Sequence, residues 1–178
     1  MTVSDTDAIY CEISQAEILG KTPGGFQILL LRDGGSAGLM REIGRLRELT
    51  FSRVGEGTGK GIDLDPFDAW YMHLVLWDAQ RRQVVGAYRL AAGDQILSQR
   101  GSAGFYTSTL FHFSHDFISL LPHALELGRS FVQPAYWNSQ ALDYLWHGIG
   151  AFIAKNPQYK YLFGPVSVSA SYSLEARE

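Results

Sequence analysis

Glu126 and Arg129 stand three residues apart in "ALELGRSFV", a run whose other members read as a buried apolar strand. A carboxylate in such a place can take up a proton or anchor an amine, and a guanidinium can brace a carboxylate network. The plainer reading is a structural pair of Glu126 with Arg129 or Arg89, because a buried charge has to be partnered. Residues three apart in a regular strand face opposite ways, so bringing both groups to one cleft requires a bulge, which Gly128 would permit. Asp65 and Asp68 of "DPFD" form a second acidic pair, able to bind an ammonium or an arginine, or simply to make a turn and cap a helix. "HFSHD" sets His112 and His115 three apart with Asp116 adjacent; without a third spaced ligand they read as surface or packing residues, not as a metal site. The loop "VGEGTGKGID" invites a phosphate-binding reading and fails it. The position five before Gly59 is Val54, and Gly61 stands where Ser or Thr is needed, so the loop reads as a substrate gate or a flexible linker.

These groups need a scaffold, and the composition supplies one. A chain of 178 residues with 46% hydrophobic and 19% charged side chains has the make-up of a folded domain with a sizeable core. A net charge of −3 gives no basic field for nucleic acid, and the single cysteine, Cys11, leaves neither a disulfide framework nor a metal cluster. A reducing cytoplasm fits. No apolar run is long enough to span a bilayer and the first residues lack a signal-peptide pattern, so any membrane contact is expected to be peripheral, at the inner face.

Glycine-rich punctuation at residues 20–25, 33–38, 55–61 and 101–104 separates the elements. "GFQILLLRD" reads as a first strand. "LMREIGRLRELTF" is an amphipathic helix with Leu39, Ile43, Leu46 and Leu49 or Phe51 at helical spacing. "WYMHLVLWD" and "QVVGAYRLA", joined by "AQRR", form an antiparallel hairpin. A short helix near "DQILSQ" and an irregular aromatic stretch follow. "ALELGRSFV" is the fourth strand, residues 138–155 are a helix with Leu142, Leu145, Ile149 and Phe152 on one face, and "YKYLFGPVSVS" is the fifth strand, parallel to the fourth across a right-handed crossover. His73 and His147 are expected at the core edge. Trp70, Trp77, Trp137 and Trp146 are expected largely to fill the core.

In this order "EIGRLRELTF", "GEGTGKGIDLDPFDAWYMHLVLWD", "VVGAYRL", "YTSTLF", "LELGRSFV" and "LFGPVSVS" resemble the GNAT-fold N-acyltransferases that make ornithine and related aminoacyl lipids, often called hemolysin-like. They are more distantly similar to acyl-homoserine-lactone synthases and N-acyl amino acid synthases. The resemblance implies an α/β fold with a mixed, partly antiparallel sheet flanked by helices. It implies transfer of a (3-hydroxy)fatty acyl group from acyl carrier protein to the amine of a small amino acid such as ornithine or glycine. The donor is a phosphopantetheine thioester, acyl-ACP, or acyl-CoA, and no cofactor is held permanently. Glu126 and Arg129 match the catalytic positions, with Glu126 as general base, direct or through a water, or as anchor for the acceptor amine. Arg47, Phe51, Asp65, Asp68 and Arg89 match positions those families keep and are candidates to bind substrate, as are Phe105, Tyr106 and Ser130, and the arginines also suit bracing of a carboxylate network. Phe105, Tyr106, Leu110 and Phe111 are candidates to line an acyl tunnel. A backbone N–H at the implied bulge would meet the thioester oxygen.

Two departures accompany the resemblance. The turn that usually wraps a cofactor pyrophosphate with glycines is here "QPAYWNSQ", which favours a carrier-protein donor over coenzyme A. The fifth strand is expected to end near Ser169, where the resembled families continue with a helix and further strands. The expected division is an N-terminal segment with the first strand at 1–38, the acyltransferase domain at 39–172 and a tail at 173–178. An open sheet edge, suited to a homodimer, and a catalytically impaired acyl-lipid-binding module are the corollaries.

Overall fold

The computed structural model describes residues 3–32 and 37–166. Strands β1 (Glu17–Lys21), β2 (Phe26–Leu31), β3 (Met72–Asp78), β4 (Gln83–Ala92), β5 (Ala124–Val132) and β6 (Tyr161–Phe163) lie side by side in sequence order in one sheet. Neighbours pair antiparallel as far as β5. β6 pairs parallel with β5 after the chain passes through helix α5 (Ala141–Lys155).

Helices cover both faces, which is why the central strands are apolar at nearly every position instead of alternating. Ile28, Leu30, Leu74, Leu76 and Leu90 point to one face and pack against Leu145, Ile149 and Phe152 of α5. Leu29, Leu31, Val75, Trp77 and Val84 point to the other, against Ile9 and Ile13 of α1 (Val3–Gln15) and Leu39, Ile43 and Leu46 of α2 (Ala37–Arg53). A third cluster, Tyr71, Ala91, Ile96, Phe105 and Leu121, closes the end of the sheet beneath α3 (Gly93–Arg100) and α4 (His115–Leu120). Among the described residues no helix is long and apolar enough to cross a membrane.

The structure adds α1 and β1 to the expected elements. Among the residues whose burial is described, Ile9 and Ile13 mark the buried face of α1, and β1 is half exposed. Both belong, with β2, to the same sheet and core as the rest of the chain. Leu142 is exposed, its place on the buried side of α5 taken by Ala141. Trp137 and Trp146 are also exposed, whereas Trp77 is buried as expected. His147 lies on the exposed side of α5, and His73 is wholly enclosed, not at the core edge. The end of the expected fifth strand, from Ser167 to Ser169, and the 173–178 tail lie outside the described residues.

Candidate active site

The ladder between β4 and β5 breaks in the middle. Ala87 pairs with Phe131 and Arg89 with Gly128, so Arg129 and Ser130 stand opposite Tyr88 alone. This is the expected bulge, although Gly128 is not the residue that takes the unusual backbone. Arg129 does, at φ 49°, a conformation that costs a non-glycine residue roughly 1–2 kcal/mol and so marks a position held by its surroundings. On the other side of β5, pairing with β6 ends at Glu126 and Phe163. Beyond that point the two chains part, and Gly128, Arg129 and Ser130 face Pro165 and Val166 across a cleft of about 450 Å³. Gly164 fixes the place of divergence, since a Cβ there would lie 2.0 Å from the Leu127 carbonyl oxygen.

Behind Arg129 lies a buried ionic layer. Asp65 caps the short 3-10 helix Pro66–Ala69 in a reciprocal capping box: its side chain accepts from Phe67 N–H, and Asp68 accepts from Asp65 N–H. The proline at the first helical position suits that start. The same carboxylates receive arginines: Asp68 accepts from Arg47 Nη1 at 2.8 Å and Asp65 from Arg89 Nη1 at 2.6 Å. Both possibilities offered by the sequence for the acidic pair, capping and arginine binding, are realised together. With Asp63 the layer holds three carboxylates against Arg47, Arg89 and Arg129, so its formal charges cancel. Burial pushes the Asp68 carboxyl up, but Arg47 and Arg89 outweigh it and hold it below its ordinary value. Asp63, buried with weaker ionic partners, is held above its own. Burial and then Arg47 push His73 down to about 4, so its imidazole is neutral and its Nε2 lies 3.1 Å from the Asp68 carbonyl oxygen.

Arg129 is bound more loosely than the other two arginines. Its closest carboxylate oxygens, on Asp65 and Asp63, are 3.6 and 3.8 Å away, within ion-pair reach but beyond hydrogen-bond distance. Its guanidinium lies 5.1 Å from the Tyr106 ring centroid, a cation–π contact, and its side chain is 27% exposed. Its Nε is buried beside Asp63, and among the described residues no hydrogen bond to a carboxylate holds the guanidinium that lines the cleft.

Glu126 is placed differently. It pairs with neither Arg129 nor Arg89. Its carboxylate accepts from the Tyr71 hydroxyl, the Tyr106 and Thr107 backbone N–H groups and the Thr107 hydroxyl. The Tyr106 N–H is shared, lying 2.7 Å from the Tyr71 hydroxyl oxygen and 3.2 Å from the carboxylate, so Tyr71, Tyr106 and Thr107 together hold Glu126 in one hydrogen-bonded cluster. Glu126 is 1% exposed and is not among the residues lining the cleft. It holds the Tyr106–Thr107 turn, whose tyrosine ring packs against Arg129. Burial, then the adjoining Glu126 carboxylate, raises the Tyr71 hydroxyl far above its usual range, so it remains a donor.

Of the residues singled out in the sequence, the structure brings Phe51, Tyr106, Arg129 and Ser130 to the cleft, together with Leu110 and Phe111. Arg47, Asp65, Asp68 and Arg89 form the layer beneath. Phe105 is wholly buried, packed edge-on against Phe113 and tilted against Phe163 behind the cleft instead of lining it. Sequence reasoning missed Asp63, Tyr71 and Thr107, whose roles depend on contacts from distant segments, and Glu56, which lines the cleft from the loop after α2. That loop is tied to α2 at its middle. Glu48 accepts from Ser52, from Thr58 N–H and hydroxyl, and from Gly59 N–H, and a Cβ at Gly57 would lie 2.8 Å from Ser52 Cα. Among the described residues no cluster of His, Cys, Asp and Glu could hold a metal ion.

The family profile of the acetyltransferase (GNAT) domain matches residues 46–147, more than half of the chain, and the chain belongs to that family. Two curated relatives are glycine N(alpha)-acyltransferases. The chain is 38% identical to that of Phocaeicola vulgatus over 155 residues, 80% of this chain and 48% of the relative. It is 38% identical to that of Bacteroides thetaiotaomicron over 164 residues, 85% of this chain and 49% of the relative. It is 31% identical to the L-ornithine N(alpha)-acyltransferase of Rhodobacter capsulatus over 163 residues, 84% and 59%. The chain thus spans about half the length of its glycine-directed relatives. Among solved structures, the AHL synthase LasI matches with a TM-score of 0.51 at 20% identity, covering 78% of this chain and 70% of the other, which shows a shared fold.

Proposed function

We propose that this chain transfers a fatty acyl group from a thioester to the α-amine of a small amino acid, with glycine as the first candidate acceptor and ornithine as the second. The observation that carries this reading is the cleft at the β5 bulge, where a guanidinium beyond hydrogen-bond distance of its carboxylates faces an apolar wall of Phe51, Leu110 and Phe111. In this reading Arg129 holds the carboxylate of the acceptor, and a backbone N–H of the bulge meets the thioester oxygen. The ammonium loses one proton to water in the open cleft. Its nitrogen then attacks the carbonyl carbon, a C–N bond forms, the C–S bond breaks, and the thiolate leaves with the second proton. Arg47, Asp65, Asp68 and Arg89 keep Arg129 in place, and Glu126 fixes the Tyr106 ring against it. The acyl chain lies along the apolar wall, each methylene removed from water contributing about 0.8 kcal/mol.

Acyl carrier protein is the donor this geometry favours. The β5 to α5 turn has no glycine, and Asp143 puts negative charge in the first turn of α5, where a pyrophosphate would otherwise be attracted. An amphiphilic product and the exposed Leu110 and Phe111 at the cleft support peripheral membrane contact. Incubating the protein with 3-hydroxypalmitoyl carrier protein, or the matching acyl-CoA, and glycine or ornithine is expected to give an N-acyl amino acid detectable by mass spectrometry. Lipid retained in native mass spectra without any such product would overturn transfer in favour of a binding module.

A further inference from the structure

The cleft has two charged walls of opposite sign, Arg129 and Glu56. Glu56 also borders an adjoining groove of about 360 Å³ that runs past Phe51 and Ser130 to Trp137, so it stands where the two spaces meet. Its backbone is fixed: Glu56 N–H donates to the Phe51 carbonyl at 2.8 Å, extending the end of α2. On either side of it Gly55 turns the chain at φ 80° and Gly57 packs so close to Ser52 that no larger residue fits. Two residues further on, Glu48 clamps Thr58 and Gly59 to the helix. A loop held at so many points delivers the Glu56 side chain to a defined part of the cleft wall, while the side chain itself is exposed to the space it borders.

We infer that Glu56 is the ammonium-binding residue for the acceptor, forming with Arg129 a dipolar frame for an amino-acid zwitterion. The inference rests on the proposed acyl transfer and assigns the acceptor's two ends within that site. Glu126 is 1% exposed and held by Tyr71, Tyr106 and Thr107, the aspartates lie in the layer behind Arg129 within ion-pair reach of arginines, and none of these carboxylates lines the cleft as Glu56 does. A zwitterion spanning the cleft places its amine on the Glu56 side and its carboxylate on the Arg129 side. The frame selects for acceptors carrying both charges and against simple amines or hydroxy acids of the same size.

The test is steady-state kinetics of Glu56→Gln and Glu56→Asp with a fixed acyl thioester and varied glycine, with glycolate as a competing ligand that lacks the ammonium. Glu56→Gln is expected to raise the KM for glycine about ten- to hundredfold, the loss of one charge-assisted hydrogen bond, while the KM for the thioester stays at the wild-type value. It should also erase the preference for glycine over glycolate, and Glu56→Asp should restore part of it. Both variants keep the fold, checked by thermal melting, because the side chain is exposed. Wild-type turnover with an unchanged glycine KM in Glu56→Gln would overturn the inference alone. Absence of any N-acyl product from the wild type would remove the proposed transfer, and the inference with it.

Discussion

Glu126 is a buried carboxylate that touches the wall of the cleft from behind and does not line it. Its four donors come from Tyr71, Tyr106 and Thr107, segments that must be drawn together before the Tyr106 ring can lie against Arg129. Replacing it by glutamine turns one acceptor oxygen into a donor, and either orientation of the amide then faces backbone N–H groups with an N–H of its own. Glu126→Gln is therefore expected to lower stability by about 1–3 kcal/mol, the cost of buried groups left unpaired, and to reduce turnover through the displaced turn. Urea titration beside kinetics checks this. Full stability with turnover lost would instead return Glu126 to the role of general base that the sequence suggested. Arg129 shows the complementary case: its side chain is recognisable in "ELGR", but its left-handed backbone and its place on the cleft wall are properties of the bulge.

At the scale of elements, the divergence of β5 and β6 makes the cleft, and two glycines near it behave differently. A Cβ at Gly164 would strike the Leu127 carbonyl, whereas one at Gly128 meets nothing within 4 Å. Gly164→Ala is expected to destabilise the protein by about 1–3 kcal/mol by forcing the strands apart, and Gly128→Ala to change stability by well under that amount. Differential scanning calorimetry of the two variants separates them, and equal losses would contradict this account of the splay. The sequence pointed to Gly128 because glycine is permissive, yet the backbone distortion fell one residue later, on a side chain anchored by Asp63, Asp65 and Tyr106. The loop of residues 55–61 carries contacts that its composition did not announce. Of its glycines, Gly57 packs closely on Ser52 of α2, and Gly55 and Gly59 take positive φ in turns, the second with its N–H on Glu48.

Across the whole molecule, the ionic layer ties α2, the 3-10 helix, β3 and β4 together and gives stability a pH dependence. His73 titrates near 4 when folded and near 6.5 when unfolded, so below pH 6.5 the unfolded chain binds the additional proton. Its contribution to stability is thus full above pH 6.5 and falls as pH drops towards 4, by on the order of 3 kcal/mol at most. Asp63, held above its ordinary value, works in the opposite direction as it takes up its proton. Denaturation midpoints at pH 7 and pH 5 are expected to differ less in His73→Gln than in the wild type, and an equal difference would remove His73 as the cause. The sequence by itself determined the strand and helix periodicities and the hairpin, because local spacing and apolar pattern encode them directly, and the parallel final pair through the handedness of a strand-helix-strand crossover, whereas the set of charged residues was legible only through the family resemblance. Only the tertiary structure decided which charges face the cleft and which lie beneath it. That sorting depends on where distant segments supply hydrogen-bond partners: Tyr71 and Thr107 hold Glu126 behind the cleft, Asp65 and Asp68 engage Arg89 and Arg47 beneath it, and Arg129 and Glu56 line it.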